Sequence, residues 1–341
     1  MIQIDGSYGE GGGQILRTSL ALSLMTGKPF EIKNIRANRK RPGLMTQHLK
    51  SVEAAKLICN GKIQGAKMNS AYLSFEPGKV TSGDYTINIS TAGAATLVLQ
   101  TIYLPLAFCQ SESNVTITGG THVPWSPCFH YLKKQWLPFL GKIGFKMKLT
   151  LDRAGFYPNG QGKIRAGIFP IEKLFPITLT ERGSLVKIHG ISAVANLDKS
   201  VAVRQQQQAQ KRMKKAGYKT EISIENVPSK FKSTMFLLQP VFETSSGCFT
   251  ALGAIGKRAE KVADEAVIET LEYLSKDGCV DKYLADQLIL PLSFVKGKSV
   301  FTTTEITEHL RTNVAVVKKF LDINITVERE GSNSGRITIQ N

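Results

Sequence analysis

The feature that most constrains the fold is a pattern that the chain uses three times. Each copy contains a helix start with small or polar residues, an apolar helix, a short turn and a β-branched strand, followed by a second helix and two strands. The first helices of the copies begin near Gly13, Gly93 and Tyr283. Repetition of a unit this long indicates one supersecondary motif used several times. We therefore predict an α+β fold of three β-α-β-α-β-β repeats.

The spacing of the three copies is uneven. The second copy starts 80 residues after the first, whereas the third starts 190 residues after the second. The surplus of 110 residues suits a small domain, and it includes a basic helix-like segment over residues 204–217. We therefore predict a large three-repeat domain, residues 1–183 and 278–341, with a small α+β domain, residues 184–277, inserted between the second and third repeats.

The composition favours a polyanionic partner in the cytoplasm. Lysine and arginine outnumber aspartate and glutamate by 44 to 27, a net charge of +17, which suits nucleic acid, nucleotide or a membrane surface better than it suits a merely solvated face. The longest apolar segment, residues 94–109, is interrupted by polar residues, so we expect a buried helix and no membrane span. The five cysteines, an odd number without metal-ligand spacing, favour free thiols in a reducing cytosol. We expect no secretory leader.

Two loops of the first repeat suit phosphate binding. The glycine-rich loop at residues 9–13 precedes a helix, where glycines allow close approach of a ligand and the helix N-terminus favours anions. It matches neither a dinucleotide fingerprint nor a P-loop. Its Glu10 either neutralises the helix end or holds a metal or ligand. The basic loop at residues 36–43 suits bidentate phosphate contacts, with a solvated charged face as the alternative.

The third repeat begins with the residues that suit base recognition, and two histidines compete as nucleophile. Residues 281–287 bring tyrosine, aspartate and glutamine to a helix start, although ordinary capping by Asp281 explains part of this pattern. His48 and His309 hold equivalent positions at the head of a second helix. Imidazole is a competent nucleophile near neutral pH, and we expect a helix N-terminus to lower its pKa. These residues alone do not choose between the two histidines.

Together these motifs resemble the RNA 3'-terminal phosphate cyclase family over nearly the whole chain. Seven motifs in order form a specific signal, although no single one would. One residue departs from the pattern, because His122 stands where the family has an aspartate. The matching segments are residues 9–17, 36–44, 119–127, 157–162, 251–266, 281–288 and 309–313.

The resemblance implies three repeats, each like the C-terminal domain of translation initiation factor three, and an ATP-dependent, ligase-type enzyme. A histidine would attack the α-phosphorus of ATP, and AMP would pass to a 3'-phosphate at an RNA end. The neighbouring 2'-hydroxyl would then expel AMP and leave a 2',3'-cyclic phosphate. The implied partners are ATP, an RNA with a 3'-phosphate end and a divalent cation, Mg or Mn, with no obligatory protein partner.

The resemblance also implies roles for individual residues. His309 would be the adenylated nucleophile, and Glu10 would lie beside the metal or the phosphates. The RNA terminus or the triphosphate would be held by Arg17, Arg36, Arg39 and Gln47. ATP would be bound by Gln100, Pro127, Tyr131, Tyr283, Leu284, Ala285, Asp286 and Gln287, with Pro127 and Tyr131 flanking the adenine.

Three other functions compete with this interpretation. A non-enzymatic ribosome-assembly relative would keep the fold and lose the histidine and the nucleotide motif, both of which are present here. An enolpyruvyl transferase is built from similar repeats but needs no nucleotide, so residues 283–287 argue against it. A plain RNA-binding module would explain the charge and leave Glu10 and His309 without a role.

Overall fold

The computed structural model describes residues 1–330 and 334–341 as a mixed α/β protein with four small sheets of four strands each. This agrees with the α+β class that the sequence predicts. No helix in those two ranges is both long and apolar enough to span a bilayer. The five cysteines are free thiols, as predicted.

The first unit has a sheet in the order β1-β2-β4-β3, with β1 parallel to β2 and the other pairs antiparallel. Its first helix ends at Gly27, whose φ of +69° lets the chain turn into the next strand. The elements are β1 (Ile2–Asp5), α1 (Gly13–Thr26), β2 (Phe30–Lys33), α2 (Thr46–Cys59), β3 (Lys62–Gln64) and β4 (Leu73–Glu76).

The second unit repeats this strand order as β5-β6-β8-β7. The helix predicted over residues 94–109 is present and almost entirely buried. Its second helix contains a π-helical turn, which the sequence analysis did not predict. The elements are β5 (Asp84–Asn88), α3 (Ala95–Ala107), β6 (Ser113–Gly119), α4 (Phe129–Tyr131), the π-turn (Leu132–Trp136), α5 (Leu137–Ile143), β7 (Met147–Arg153) and β8 (Gly162–Ile168).

A two-residue strand, β9 (Thr178–Leu179), then precedes a segment with its own sheet in the order β11-β10-β12-β13, which belongs to none of the three units and is called the fourth sheet. Side chains such as Phe236 and Val262 pack two helices onto one face of this sheet as a separate core. The other face, including Leu237, joins the main core. The elements are β10 (Leu185–Ala195), α6 (Lys199–Lys215), β11 (Glu221–Asn226), β12 (Ser233–Phe242), β13 (Phe249–Leu252) and α7 (Ala259–Leu274).

The third unit has the order β15-β16-β14-β9 and so the topology of the other two. Strand β9 pairs in parallel with β14, so the first strand of this sheet precedes residues 184–277 in the chain and the other three strands follow them. Part of the turn predicted at 331–335 lies outside the described residues. The elements are α8 (Lys282–Leu292), β14 (Lys298–Thr303), α9 (Glu308–Phe320), β15 (Asn324–Glu330) and β16 (Ser334–Gln340).

Helix packing brings the ends of distant units together. Helix α1 packs against α2, α3 and α9, and α9 packs against α8. The ring of Phe30 on β2 contacts Phe75 and Phe320, with ring centroids 6.0 and 5.9 Å away. Burial of each such ring stabilises the fold by about 1.5–3 kcal/mol. This core fixes the beginnings of α1, α8 and α9 beside one another.

Candidate active site

His309 lies at the second position of α9 between two carboxylates from other parts of the chain. The hydroxyl of Thr307 caps the helix by accepting a 3.1 Å hydrogen bond from the amide of Leu310. The His309 side chain is 45% exposed, and its Nε2 forms an ion pair with Glu10. Its Nδ1 lies 3.8 Å from Oδ2 of Asp286. The imidazole is therefore accessible, with each nitrogen facing a carboxylate.

The glycine-rich loop carries Glu10 to this place. Gly9 and Gly11 both have φ of +58°, in the left-handed region that glycine tolerates best. A side-chain carbon on Gly9 would lie 2.3 Å from the hydroxyl of Thr312 on α9, so the loop can approach that helix only with glycine. Glu10 also pairs with Arg39 of the basic loop. The first two candidate motifs thus meet at His309.

Asp286 on α8 is held in place by amide side chains. Nε2 of Gln14 donates to Oδ2 of Asp286 at 2.9 Å and to the carbonyl of His309 at 3.1 Å. Nδ2 of Asn313 donates to the carbonyl of Asp286 at 2.9 Å, and Thr18 donates to Oδ1 of Asn313 at 2.7 Å. No role for Gln14, Thr18 or Asn313 is predictable from the motifs alone, although Gln14 and Asn313 lie inside matched motifs.

The charges around His309 correct one expectation. Burial lowers the pKa of the His309 imidazole, but the nearby carboxylates of Asp286 and Glu10 outweigh it, so the pKa is raised. The expectation that the helix N-terminus lowers this pKa was therefore wrong for the free protein. Two nearby carboxylates stabilise the imidazolium more than the helix dipole opposes it.

Four of the predicted ATP-binding residues form one cluster. Nε2 of Gln100 donates to Oε1 of Gln287 at 2.7 Å. Nε2 of Gln287 donates to the carbonyl of Tyr283 at 2.5 Å and approaches the hydroxyl of Tyr131 at 3.5 Å. Helices from the second and third units thus contribute to the same place, one turn from Asp286.

The other predicted ATP-binding residues differ in accessibility. Tyr283 is 42% exposed and can offer its ring to a ligand, and its hydroxyl donates to Glu269 on α7. Pro127 is half-buried in the loop before the helix that carries Tyr131. Leu284 and Ala285 have no exposed surface, so in this conformation they pack the core and offer no contact to a ligand.

Asp281 caps α8, as the capping alternative predicts, and does more. Its Oδ1 accepts 2.9 Å hydrogen bonds from the amides of Tyr283 and Leu284. Its Oδ2 accepts from Nε2 of Gln135 in the π-turn at 2.9 Å, and the same Nε2 donates to the carbonyl of Ser246 at 2.6 Å. Burial raises the pKa of the Asp281 carboxyl to about 7 despite these hydrogen bonds. The π-turn thus ties the start of α8 to the fourth sheet.

The predicted RNA- or phosphate-binding residues occupy two kinds of position. Arg39 reaches Glu10, and the partly buried Arg17 has its pKa lowered to about 10 by burial, opposed by the charge of Asp286. Arg36 instead closes the basic loop by donating to the carbonyls of residues 41 and 43 at 2.7 and 2.8 Å. Gln47 accepts from the amide at the start of α3 at 3.4 Å.

His48 is in the interior. Its Nδ1 accepts a 3.1 Å hydrogen bond from the amide of Met45, and its Nε2 faces Gly13, where a side-chain carbon would lie 2.2 Å away. Burial, followed by the charges of Arg17 and Arg36, lowers the pKa of His48 to about 3. The geometry therefore makes His309 the accessible histidine of the pair.

His122, which replaces the family's aspartate, also faces the interior. Its Nε2 lies 2.7 Å from Nδ1 of His130, and its Nδ1 lies 2.8 Å from the hydroxyl of Thr121. Its ring stacks on Phe156. Burial lowers the pKa of His122 well below its ordinary value. This residue is a neutral part of the core.

The carboxylate of Glu10 could hold a magnesium ion only together with oxygen atoms of a bound substrate and water. The described residues contain no group of three or more side chains suited to holding a metal ion. Glu10, 31% exposed beside His309, offers a single carboxylate. That donor set fits a magnesium-like cation, which takes one or two carboxylates and completes its shell with substrate phosphates and water.

Known proteins resemble this chain over almost its whole length. A family model described as RNA 3'-terminal phosphate cyclase matches residues 8–327. Proteins named RNA 3'-terminal phosphate cyclase are similar to it in Koribacter versatilis, with 42% identity over 99% of this chain and 95% of the relative, and in Archaeoglobus fulgidus, with 40% identity over 94% and 96%. The one from Caldivirga maquilingensis is 43% identical over 95% and 94%.

A solved enolpyruvyl transferase from Streptomyces tendae is also similar, at 11% identity and a TM-score of 0.37, over 98% of this chain and 47% of that one. A score this low supports no statement about fold or function. The family model, by contrast, spans every residue described at the His309 site. The chain belongs to the RNA 3'-terminal phosphate cyclase family.

Proposed function

We propose that this protein uses ATP to convert the 3'-terminal phosphate of an RNA into a 2',3'-cyclic phosphate, through an adenylated histidine and an RNA adenylate. The observation that carries the proposal is the place of His309 between Glu10 and Asp286. The cluster of Tyr131 and Gln287 lies beside it, and family membership agrees with this chemistry. We further propose that the protein acts in the cytoplasm without an obligatory protein partner.

The proposal includes the architecture that the sequence predicts. We take the three units with a common strand order as repeats of one motif, because their sheets pair the same way. We take residues 184–277 as an inserted domain, because that segment has its own sheet and its own core cluster. The large domain, residues 1–183 and 278–341, would then carry the whole reaction.

In the first step, His309 would attack the α-phosphorus of ATP. An attacking nitrogen needs a free lone pair. Asp286 is the carboxylate nearest Nδ1, so we assign it the role of keeping a proton there and leaving Nε2 as the nucleophile. Before the attack, Nε2 would lose any proton that it shares with Glu10 to solvent, and Glu10 would turn to the cation that accompanies the nucleotide. The N–P bond forms, the bond from the α-phosphorus to the bridging oxygen breaks, and pyrophosphate leaves.

The next two steps act on the RNA. An oxygen of the 3'-phosphate attacks the phosphorus held by His309, the N–P bond breaks, and its electron pair returns to Nε2. The 2'-hydroxyl then attacks the 3'-phosphorus, loses its proton to solvent and expels AMP. Adenylation thus supplies the leaving group that a phosphate monoester lacks. We assign Arg17 and Arg39 to the phosphate oxygens, since a guanidinium offers bidentate hydrogen bonds.

ATP and a divalent cation fit the residues that surround His309. Glu10 would hold the cation together with phosphate oxygens and water, and the cation would offset charge on the triphosphate. Tyr283 would stack on the adenine, which Pro127 and Tyr131 would flank, while Gln100 and Gln287 would donate or accept hydrogen bonds at its edge. Their mutual hydrogen bond at 2.7 Å would open or shift to admit the base.

The test is covalent labelling of the purified protein with α-labelled ATP and Mg²⁺ or Mn²⁺, followed by a denaturing gel. An acid-labile, alkali-stable label that is absent from His309→Ala identifies a histidine phosphoramidate. His189→Ala is the matched control, because that histidine is 40% exposed on β10, away from the site. Absence of label in the folded, metal-loaded protein would remove the proposed chemistry and favour the ribosome-assembly relative.

A second measurement tests the RNA product. An RNA with a labelled 3'-phosphate is incubated with the protein and ATP and then treated with a phosphomonoesterase. A cyclic diester has no monoester group, so the expected product keeps its label. Complete release of the label, from a protein that forms the histidine adduct, would mean that the AMP acceptor is another molecule.

A further inference from the structure

The side chain of Trp125 is 99% exposed, and its backbone has φ of +63°. Large side chains rarely adopt this left-handed conformation, which costs free energy. The other tryptophan, Trp136, is fully buried. A single exposed ring is ordinary on a protein surface, but one held there on a costly left-handed backbone calls for a look at its neighbours.

Tyr157, 69% exposed, lies on the loop next to that of Trp125. The two loops, residues 120–128 and 154–161, are joined by two backbone hydrogen bonds of 2.8 and 3.0 Å. The rings of His122 and Phe156 stack between them at 5.0 Å. The two exposed aromatic rings therefore rise from one connected base.

The fourth sheet adds cations beside these loops. The amide of Ala154 donates to the carbonyl of Pro228 at 2.7 Å, which places residues 227–233 against the loop of Tyr157. Lys230 and Lys232 in this stretch are exposed. We call Trp125, Tyr157, Lys230 and Lys232 the aromatic platform.

The surroundings of the aromatic platform carry no acidic side chain from the loops that form it. Residues 120–128, 154–161 and 227–233 contain neither aspartate nor glutamate. Exposed aromatic rings with cations and without carboxylates are the combination that single-stranded nucleic acids bind, through base stacking and phosphate contacts. A folded protein partner would require a larger apolar patch.

A row of contacts leads from the aromatic platform to the proposed RNA end. Gly160 packs so closely on Ala92 that a side-chain carbon would lie 2.8 Å from its Cα. Val123 packs on Ala94, whose amide donates to Oε1 of Gln47 at 3.4 Å. Gln47 adjoins the buried histidine that faces the start of α1. Packed side chains and backbone thus connect the loops of the aromatic platform to the segment that carries Gln47.

We propose that the aromatic platform binds the single-stranded RNA that precedes the 3'-terminal phosphate. This inference rests on the proposed function, because the RNA end must lie at His309 for the upstream nucleotides to reach the rings. Bases would stack on Trp125 and Tyr157, and Lys230 and Lys232 would face the phosphodiesters. Stacking tolerates any base, so the aromatic platform selects an unpaired 3' end and not a sequence.

The test compares two substrates that share the same reacting end. One is a decauridine with a 3'-phosphate, and the other is a diuridine with a 3'-phosphate, too short to reach the rings. In the double variant Trp125→Ala/Tyr157→Ala, KM for the decamer rises about 10-fold, while KM for the dimer and labelling by ATP stay unchanged. The single variant Trp125→Phe should keep a KM for the decamer close to that of the wild type, because a phenyl ring still stacks on bases. Phe175→Ala is the matched control, because that ring is 47% exposed elsewhere.

Fluorescence separates failure of this inference from failure of the proposed function. A decauridine without a 3'-phosphate should quench the emission of the wild type and leave that of Trp125→Ala unchanged, because Trp136 is buried. Quenching by the decauridine in a protein that cyclises no RNA would contradict the proposed function and support RNA binding by the aromatic platform. An unchanged KM for the decamer in an active double variant overturns the aromatic platform, as does quenching by anionic phosphatidylglycerol vesicles and not by RNA.

Discussion

His48 and His309 sit at the heads of second helices in two units of the same topology, and their imidazoles have opposite surroundings. His48 is 4% exposed and faces two arginines, Arg17 and Arg36, which together with burial lower its pKa to about 3. The His309 side chain is 45% exposed and faces two carboxylates, which raise its pKa despite burial. One histidine is a neutral structural residue, and the other is available for chemistry.

The difference shows that equivalent backbone positions in two units of the same strand order can differ in their chemistry. Both carboxylates at His309 come from elements outside α9, since Glu10 precedes α1 and Asp286 lies on α8. At His48, the start of α1 instead presents Gly13 and a cation. What each histidine can do is therefore decided by the neighbouring units that pack against it.

The largest effect is expected from removing His309, the histidine of the pair that we propose as the nucleophile. In His309→Ala, covalent labelling by α-labelled ATP should fall below detection, because the attacking nitrogen is gone. The free energy of unfolding should change by less than about 1 kcal/mol, since the residue is half-exposed and its ion pairs are accessible to water. A denaturing gel and urea unfolding measure the two quantities. Wild-type labelling of this variant would show that another side chain carries AMP.

The second largest effect is expected from removing Asp286, one of the two carboxylates that distinguish the surroundings of His309 from those of His48. Asp286→Asn should slow labelling by about 10²- to 10⁴-fold, the range expected when a histidine loses the carboxylate that orients it. Because Asp286 raises the pKa of His309, the pH at which labelling reaches half its maximum should fall. The measurement is the initial labelling rate against pH.

Asp264→Asn is the control for the charge change itself. Asp264 forms an ion pair with Arg212 on the other side of the fourth sheet at 3.1 Å. This variant should keep both the rate and the pH profile of the wild type. A pH profile that does not move in Asp286→Asn would mean that Glu10 alone sets the pKa of His309.

The third effect tests the structural member of the pair. His48→Ala removes a buried acceptor of the Met45 amide and should lower the free energy of unfolding by about 1–3 kcal/mol. The folded variant should still be labelled by ATP, because His48 lies in the interior. Urea unfolding and labelling at a temperature where the variant is folded measure these outcomes. A stable variant without label would make His48 part of the reaction.

The smallest effect is a pH dependence of stability that has opposite signs at the two sites. His48 stays neutral in the folded state down to about pH 3, whereas the unfolded chain binds its proton below the ordinary value of 6.5. The free energy of unfolding should therefore fall by about 1 kcal/mol per unit as pH drops below 6.5. The difference in the free energy of unfolding between the wild type and His48→Ala should therefore narrow by the same amount per pH unit.

His309 acts in the other direction. Because its folded-state pKa is raised, its contribution is complete below the unfolded pKa and is lost as pH rises through the folded value. Stability curves of His309→Ala and the wild type should therefore converge at alkaline pH, and those of His48→Ala at acid pH. Parallel curves for both variants would contradict the assigned charge states.

The sequence indicates most of the helices and strands, because helix and strand periodicities are local. It does not indicate β9, which has only two residues and is recognisable only through its pairing with β14. The π-turn is equally invisible, since an extra residue in a helical turn leaves the apolar pattern almost unchanged. Its role emerges only where Gln135 meets Asp281.

The sequence motifs indicate which residues meet around His309, but they do not indicate the charge state of its imidazole. Glycine-rich, basic and histidine motifs each indicate phosphate chemistry, and the structure brings Glu10, Arg39 and His309 together. The direction of the His309 pKa shift was wrong because it depends on contacts that no local pattern contains. For the same reason Leu284 and Ala285 lie in a helix that carries polar site residues and yet have no exposed surface.

The contact between Gln14 and His309 joins residues 295 positions apart, which sets the order in which this site can arise during protein synthesis. At about 5–20 residues per second, a ribosome needs about 15 to 60 seconds to pass from one to the other. Arg39, only 29 residues from Glu10, is made within seconds and can neutralise that carboxylate in the nascent chain. The nascent chain can therefore pair Glu10 with Arg39 before His309 has been made, and His309 meets Glu10 and Asp286 only when the third unit folds.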